Sequence, residues 1–165
     1  FEQALRSEPK NAEYHSGYAY LLDQLGRKDQ AAAECETAIR LAPNSPQAHY
    51  GYGAFLEKHG QAEEAIAKYR QALQYDPNHI DAHLDLGNLL FESGETAEAK
   101  EHFQKVSTLN PKLAQPHNYL GKVLMREGNV PEAIGQFEEA LRLHPDFPEA
   151  EENLRIAKAS SAQSP

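Results

Sequence analysis

The chain has 165 residues, of which 40% are hydrophobic and 25% are charged, a balance typical of a folded protein rather than a disordered one. The formal net charge of −9 argues against a nucleic-acid ligand or an anionic membrane surface, and no apolar run approaches the roughly 20 residues of a membrane span. One cysteine excludes an internal disulfide framework.

An internal repeat organises the sequence. In a 34-residue frame that begins at Ala12, several slots carry the same residue type four times. Slot 15 is always glycine, slot 20 always alanine, slot 32 always proline and slot 11 always leucine. Slot 8 is always small, and slot 24 holds a cysteine once and an aromatic residue three times. The slot 15 residues are Gly26, Gly60, Gly94 and Gly128, and the slot 24 residues are Cys35, Tyr69, Phe103 and Phe137.

The frame predicts the elements in chain order. Residues 1–11 are expected to be the end of a partial repeat, so we expect the chain to be a piece of a longer array. Each full repeat should be two amphipathic helices that turn at the slot 15 glycine and end before the slot 32 proline. Residues 148–158 are predicted to be a polar capping helix and residues 159–165 a disordered tail. The full repeats are residues 12–45, 46–79, 80–113 and 114–147.

The second repeat carries the spaced large, small and aromatic residues of a known motif: His49, Tyr52-Gly53, Leu56, Ala65, Tyr69 and Pro77. In this pattern the chain resembles the tetratricopeptide-repeat family. The resemblance implies an all-α, right-handed superhelical solenoid of antiparallel helix hairpins. It also implies that the first helices line a concave surface on which a partner protein's peptide binds.

Candidate reactive residues have simpler interpretations. Slot 4 is histidine in every repeat, but stacked repeats hold equivalent residues about 10 Å apart, which is too far to share a metal. We therefore expect His15, His49, His83 and His117 to be packing residues with a polar tip. Cys35 should be a buried small hydrophobe. We expect no catalytic residue, no metal and no cofactor.

The exposed side of each first helix is not uniformly polar. Slots 2, 5, 9, 12 and 13, hereafter the groove face, lie opposite the core slots on a helical wheel. Apolar residues and amides mixed on such a face are typical of a binding surface. For Phe91 and Met125 an equal alternative is that they lean into the next repeat. The predicted peptide-binding residues are Tyr20, Gln47, Tyr50, Leu84, Asn88, Phe91, Asn118, Lys122, Met125 and Arg126.

The sequence therefore predicts a non-catalytic scaffold that binds a peptide of a protein partner, without nucleic acid and without membrane insertion. Charges on the groove face suggest a ligand with an acidic group near Lys122 and Arg126 and a positive end near the earlier repeats. Two alternatives remain. The chain could self-associate through its exposed repeat ends, where Phe1 and Leu5 lie, or it could be the recognition arm of a larger enzyme.

Overall fold

The computed structural model describes residues 2–162, apart from the side chains of residues 2, 4 and 5. Phe1, Leu5 as a contact residue, and residues 163–165 therefore lie outside the description. The described part contains ten α-helices and no strand. These are α1 (Glu2–Ser7), α2 (Ala12–Gln24), α3 (Lys28–Leu41), α4 (Pro46–Lys58), α5 (Ala62–Tyr75), α6 (Ile80–Ser93), α7 (Thr96–Leu109), α8 (Ala114–Arg126), α9 (Val130–Leu143) and α10 (Pro148–Ala162).

The chain divides into two compact units, Phe1–Ala82 and His83–Pro165. In the first unit α2 packs on α3 and α4 packs on α5, while α4 also contacts α2 and α3. Local capping explains where the helices begin. The Oδ1 of Asn11 accepts hydrogen bonds from two backbone amides of α2, and Ser45 caps α4 directly before Pro46.

The turns within the hairpins follow the prediction. All four slot 15 glycines have positive φ, from 73° at Gly26 to 93° at Gly94. This left-handed conformation ends the first helix of each repeat and lets the chain reverse at little steric cost. Each of the four 34-residue frames accordingly contains two helices.

A ring from the second helix fills the space beside the first helix in three of the four repeats. The rings are fully buried, and each lies against a slot 8 glycine whose lack of a Cβ makes room for it. The pairs are Gly53 with Tyr69, Gly87 with Phe103, and Gly121 with Phe137. The first repeat differs at both slots, because it has Ala19 in slot 8 and Cys35 in slot 24. A methyl group and a sulfur replace the glycine and the ring there.

In the second unit α8 packs on α7 and α9, and α10 packs on α9 and α8. Arg155 and Lys158 are exposed on α10, and Ile156 between them is also 45% exposed. The predicted end of this helix was wrong, because α10 continues to Ala162 instead of stopping at residue 158. Ala159 and Ala162 favour helix in this segment.

Candidate functional site

A cavity of about 360 Å³ lies on the groove face of the first unit, between α2 and α4. It is lined on one side by α2 and on the other by α4, and Cys35 of α3 contributes to its wall. The lining residues are Ser16, Ala19, Tyr20, Asp23, Gln24, Cys35, Ala48, Tyr50, Gly51, Tyr52, Ala54, Phe55 and Lys58. This volume falls at the lower end of the roughly 300–1,000 Å³ typical of ligand pockets.

An ionic cluster borders the cavity. The Asp23 side chain is only 8% exposed. Its Oδ2 lies 2.5 Å from Nζ of Lys58 and its Oδ1 lies 2.6 Å from Nε2 of His59. The hydrogen bond from Lys58 is the main reason that the pKa of Asp23 is lowered from its ordinary value. Asp23 is therefore ionised at neutral pH and acts only as a hydrogen-bond acceptor.

Cys35 is 5% exposed, as expected for a buried small hydrophobe. Burial raises the pKa of its thiol to about 12. A thiol with so high a pKa holds almost no thiolate at neutral pH, which makes it a poor nucleophile. Cys35 therefore forms part of the cavity wall and does not act as a nucleophile.

Three predicted binding residues lie in the first unit, and all three are accessible. Tyr20 is 70% exposed and lines the cavity. Gln47 is exposed at the start of α4. Tyr50 is half-buried on the cavity wall, and its ring centroid lies 4.7 Å from that of His79. The first unit thus presents an aromatic rim with an amide beside it.

In the second unit the prediction was wrong for two apolar residues, because Leu84 and Phe91 are each only 8% exposed. The Phe91 ring is covered by Arg126, whose guanidinium carbon lies 3.6 Å from the ring centroid. Arg126 also donates a hydrogen bond to the Phe91 carbonyl. Met125 packs against the cluster that contains Phe137. For Phe91 the contact with Arg126 of the next repeat agrees with the alternative. The Met125 cluster includes residues of its own repeat, so the alternative for Met125 stays a prediction. Asn88 is half-buried in this unit.

Helix α10 covers the groove face of α8. Asn118 was predicted to be exposed but is 1% exposed, and its Oδ1 accepts a hydrogen bond from Asn153. Lys122 lies 3.2 Å from Glu149 through its Nζ and also sits over the ring of Tyr119. An acidic ligand group at Lys122 would therefore have to compete with Glu149.

The slot 4 histidines contact the end of the preceding repeat and the second helix of their own repeat. The Nε2 atoms of His15 and His49 lie 3.1 Å and 2.8 Å from the carbonyls of Pro9 and Pro43. In three repeats the other ring nitrogen faces the slot 23 side chain, which is Glu34, His102 or Gln136. These contacts support a packing role. Among the side chains that the structure describes, no group of three or more histidine, cysteine or acidic residues is placed to hold a metal ion.

The cavity was not predicted from the sequence. The groove-face pattern identified Tyr20 and Tyr50 but not Asp23, Lys58 and His59 as a joined cluster. One signal could have revealed the cavity: Cys35 in a slot that is otherwise aromatic removes most of a ring from the core.

Family models described as tetratricopeptide repeat match residues 1–46, 34–67, 56–122 and 114–147. No curated protein matches the sequence significantly. No helix within residues 2–162 has the length and apolar character needed to span a bilayer.

Solved structures show the same fold at low sequence identity. YrrB, a TPR protein with an unusual peptide-binding site, is 23% identical with a TM-score of 0.82, covering 98% of this chain and 84% of YrrB. Pseudomonas aeruginosa pilF is 22% identical with a TM-score of 0.81, covering 92% of this chain and 69% of that protein. MamA from Desulfovibrio magneticus RS-1 is 19% identical with a TM-score of 0.83, covering 92% and 85% respectively. These likenesses establish an all-α helical repeat.

Proposed function

Because the chain belongs to the tetratricopeptide-repeat family, we propose that it is a non-catalytic scaffold whose groove face on α2 and α4 binds a peptide segment of a partner protein. The observation that carries this proposal is the cavity between α2 and α4, with exposed Tyr20 at its rim. A large exposed aromatic residue beside a concave apolar surface is typical of a recognition site.

Packing between the helices preorganises the binding surface. The cavity walls belong to α2 and α4, which are held by α3 and α5, so that little conformational entropy is lost when a ligand binds. Tyr20 and Tyr50 offer apolar area with a polar end, and Gln24 and Gln47 can hydrogen-bond a peptide backbone. The similarity to YrrB, a protein with a peptide-binding site, supports the same use of the fold here.

Charge favours a basic peptide on this part of the groove face. In the first two repeats these slots contain three acidic residues, Glu13, Asp23 and Glu57, against the one base Lys58. Three acids minus one base leave a net charge of −2 with histidine neutral. Complementary charge chiefly increases the association rate and makes binding weaken as salt is added.

A displayed random-peptide library tests the proposal. The chain is immobilised, binding peptides are selected, and their affinities are measured for wild type, Tyr20→Ala and Leu25→Ala. Leu25 is a matched control, because it is 63% exposed but does not line the cavity. We expect Tyr20→Ala to weaken binding about tenfold or more and Leu25→Ala to leave it unchanged.

Circular dichroism would check that both variants remain helical. Failure to select any peptide, or equal losses in the two variants, would reject the groove face of α2 and α4 as the binding site.

A further inference from the structure

The first repeat lacks the ring that fills the core of the other three. In repeats two to four the slot 24 ring lies against the slot 8 glycine and is at most 1% exposed. Cys35 is much smaller than a ring, and both Cys35 and Ala19 line the cavity. The cavity therefore borders the place in repeat one that the slot 24 ring fills in the other repeats.

In repeat two the slot 24 ring forms a hydrogen bond with the acidic residue in slot 12. The hydroxyl of Tyr69 donates to Oε2 of Glu57, which is 2.5 Å away. Slot 24 is phenylalanine in repeats three and four, and slot 12 is then apolar, with Phe91 and Met125. In repeat two the acid in slot 12 thus accompanies a phenol, and in repeats three and four an apolar residue in slot 12 accompanies a phenyl ring. Repeat one has the acid, Asp23, without the phenol.

We propose that the cavity binds the side chain of a tyrosine from the partner peptide, with the phenol hydroxyl donating a hydrogen bond to the Asp23 carboxylate. This inference rests on the proposed function and adds the chemistry of the ligand. The ring enters from the groove face and lies near Ala19, Cys35 and Phe55. The ligand thus supplies in trans what Tyr69 supplies within repeat two.

The volume of the cavity and the acceptor sites of Asp23 are compatible with a bound tyrosine side chain. A cavity of about 360 Å³ holds a phenol ring without rearrangement of the core. A carboxylate has about four acceptor sites, and the contacts from Lys58 and His59 to Asp23 use one at each oxygen. The Ala19 methyl prevents the ring from lying as deep as Tyr69 does against Gly53, so the bound ring remains nearer the groove face.

The proposed binding of a tyrosine side chain in the cavity can be tested without knowledge of the partner. We would titrate isotope-labelled protein with p-cresol, which has the tyrosine side-chain group, and with toluene, which lacks the hydroxyl. NMR chemical shifts of Ala19, Cys35 and Ala54 report on the cavity, and those of Ala157 in α10 serve as a distant control. We expect both probes to shift the cavity signals and p-cresol to bind about tenfold more tightly.

Three variants make the test specific. Ala19→Gly combined with Cys35→Tyr copies the pair Gly53–Tyr69 into repeat one, so p-cresol binding should fall about tenfold or more. If circular dichroism shows that this double variant is unfolded, Ala54→Leu narrows the cavity from the groove face without altering the core. Asp23→Asn should reduce the preference for p-cresol over toluene by about tenfold and leave toluene binding unchanged.

Absence of cavity shifts with p-cresol, unchanged binding to the filled variant, or equal affinity for p-cresol and toluene would each overturn the inference. The proposed function has a separate readout. If library peptides bind at Tyr20 but keep their affinity when their tyrosines are replaced by alanine, peptide binding stands and the tyrosine assignment fails. If no library peptide binds, the proposed function fails as well.

Discussion

A Cβ placed on Gly53 of α4 would lie 2.7 Å from two ring carbons of Tyr69 of α5. The Tyr69 ring cannot move aside easily, because it is fully buried and its hydroxyl is bonded to Glu57. The slot 8 glycine and the slot 24 ring therefore form one packing unit. This unit explains the closed core of repeats two to four and, by its absence, the cavity in repeat one.

Gly53→Ala should destabilise the protein by about 1–3 kcal/mol, because the added methyl overpacks the Tyr69 ring. Gly51 is the matched control, since it lies in the same helix and a Cβ there meets nothing within 4 Å. Gly51→Ala should stabilise the protein by about 0.5–1 kcal/mol through helix propensity alone. Urea denaturation of the two variants checks both signs, and equal effects would contradict the packing argument.

Asp23→Asn should destabilise the protein by about 1–2 kcal/mol at pH 6, because Lys58 and His59 lose a charged acceptor. The pKa of Asp23 is lowered in the folded protein, so its stabilisation is present above the ordinary pKa of 3.8. The stabilisation is lost as the pH falls through the lower folded pKa. The difference in urea midpoint between wild type and variant should thus shrink on acidification below pH 3.8.

Glu92→Gln provides the control for this titration, because Glu92 is exposed at the end of α6. At pH 6 its urea midpoint should equal that of wild type, because an exposed surface charge contributes little to stability. A difference between wild type and Asp23→Asn that stays constant under strong acid would contradict the assigned role of the carboxylate.

Arg126→Ala should destabilise the protein by about 1–2 kcal/mol, because the guanidinium stacks on Phe91 and bonds its carbonyl. Arg126→Lys should recover only part of the loss, since an ammonium cannot stack as a plane. Arg142→Ala is the control, because Arg142 pairs with Glu139 on an exposed helix surface. Thermal unfolding should show no change for that variant. Equal shifts for Arg126→Ala and Arg142→Ala would show that the stacking contributes nothing.

The Cys35 thiol should react with a disulfide reagent at pH 8 about a thousandfold more slowly in the native protein than in denaturing urea. Burial raises its pKa to about 12, so the thiolate is scarce in the native state. Absorbance of the released thiolate measures both rates. Native reaction at the denatured rate would show that the cavity wall opens freely.

Local signals in the sequence predicted much of the fold. Glycine in slot 15 adopts the positive φ that ends a helix, proline begins or follows helices, and the apolar periodicity places Ala19, Leu56 and Phe103 in the core. These features depend on residues a few positions apart in the sequence, so they can be predicted from the repeat pattern. The end of α10 was misjudged because the segment after residue 158 contains two alanines, which favour helix, beside its serines.

The sequence by itself determined the repeat, the helix hairpins, exposed Tyr20 and half-buried Tyr50. Only the tertiary structure decided which groove-face residues are accessible, because Arg126 covers Phe91 and α10 covers Asn118. The cavity also required the structure, since it forms where Cys35 and Ala19 leave unfilled volume between α2 and α4. The exposure of a residue and the volume of a cavity depend on packing among side chains that are distant in sequence. A periodic pattern does not specify that packing.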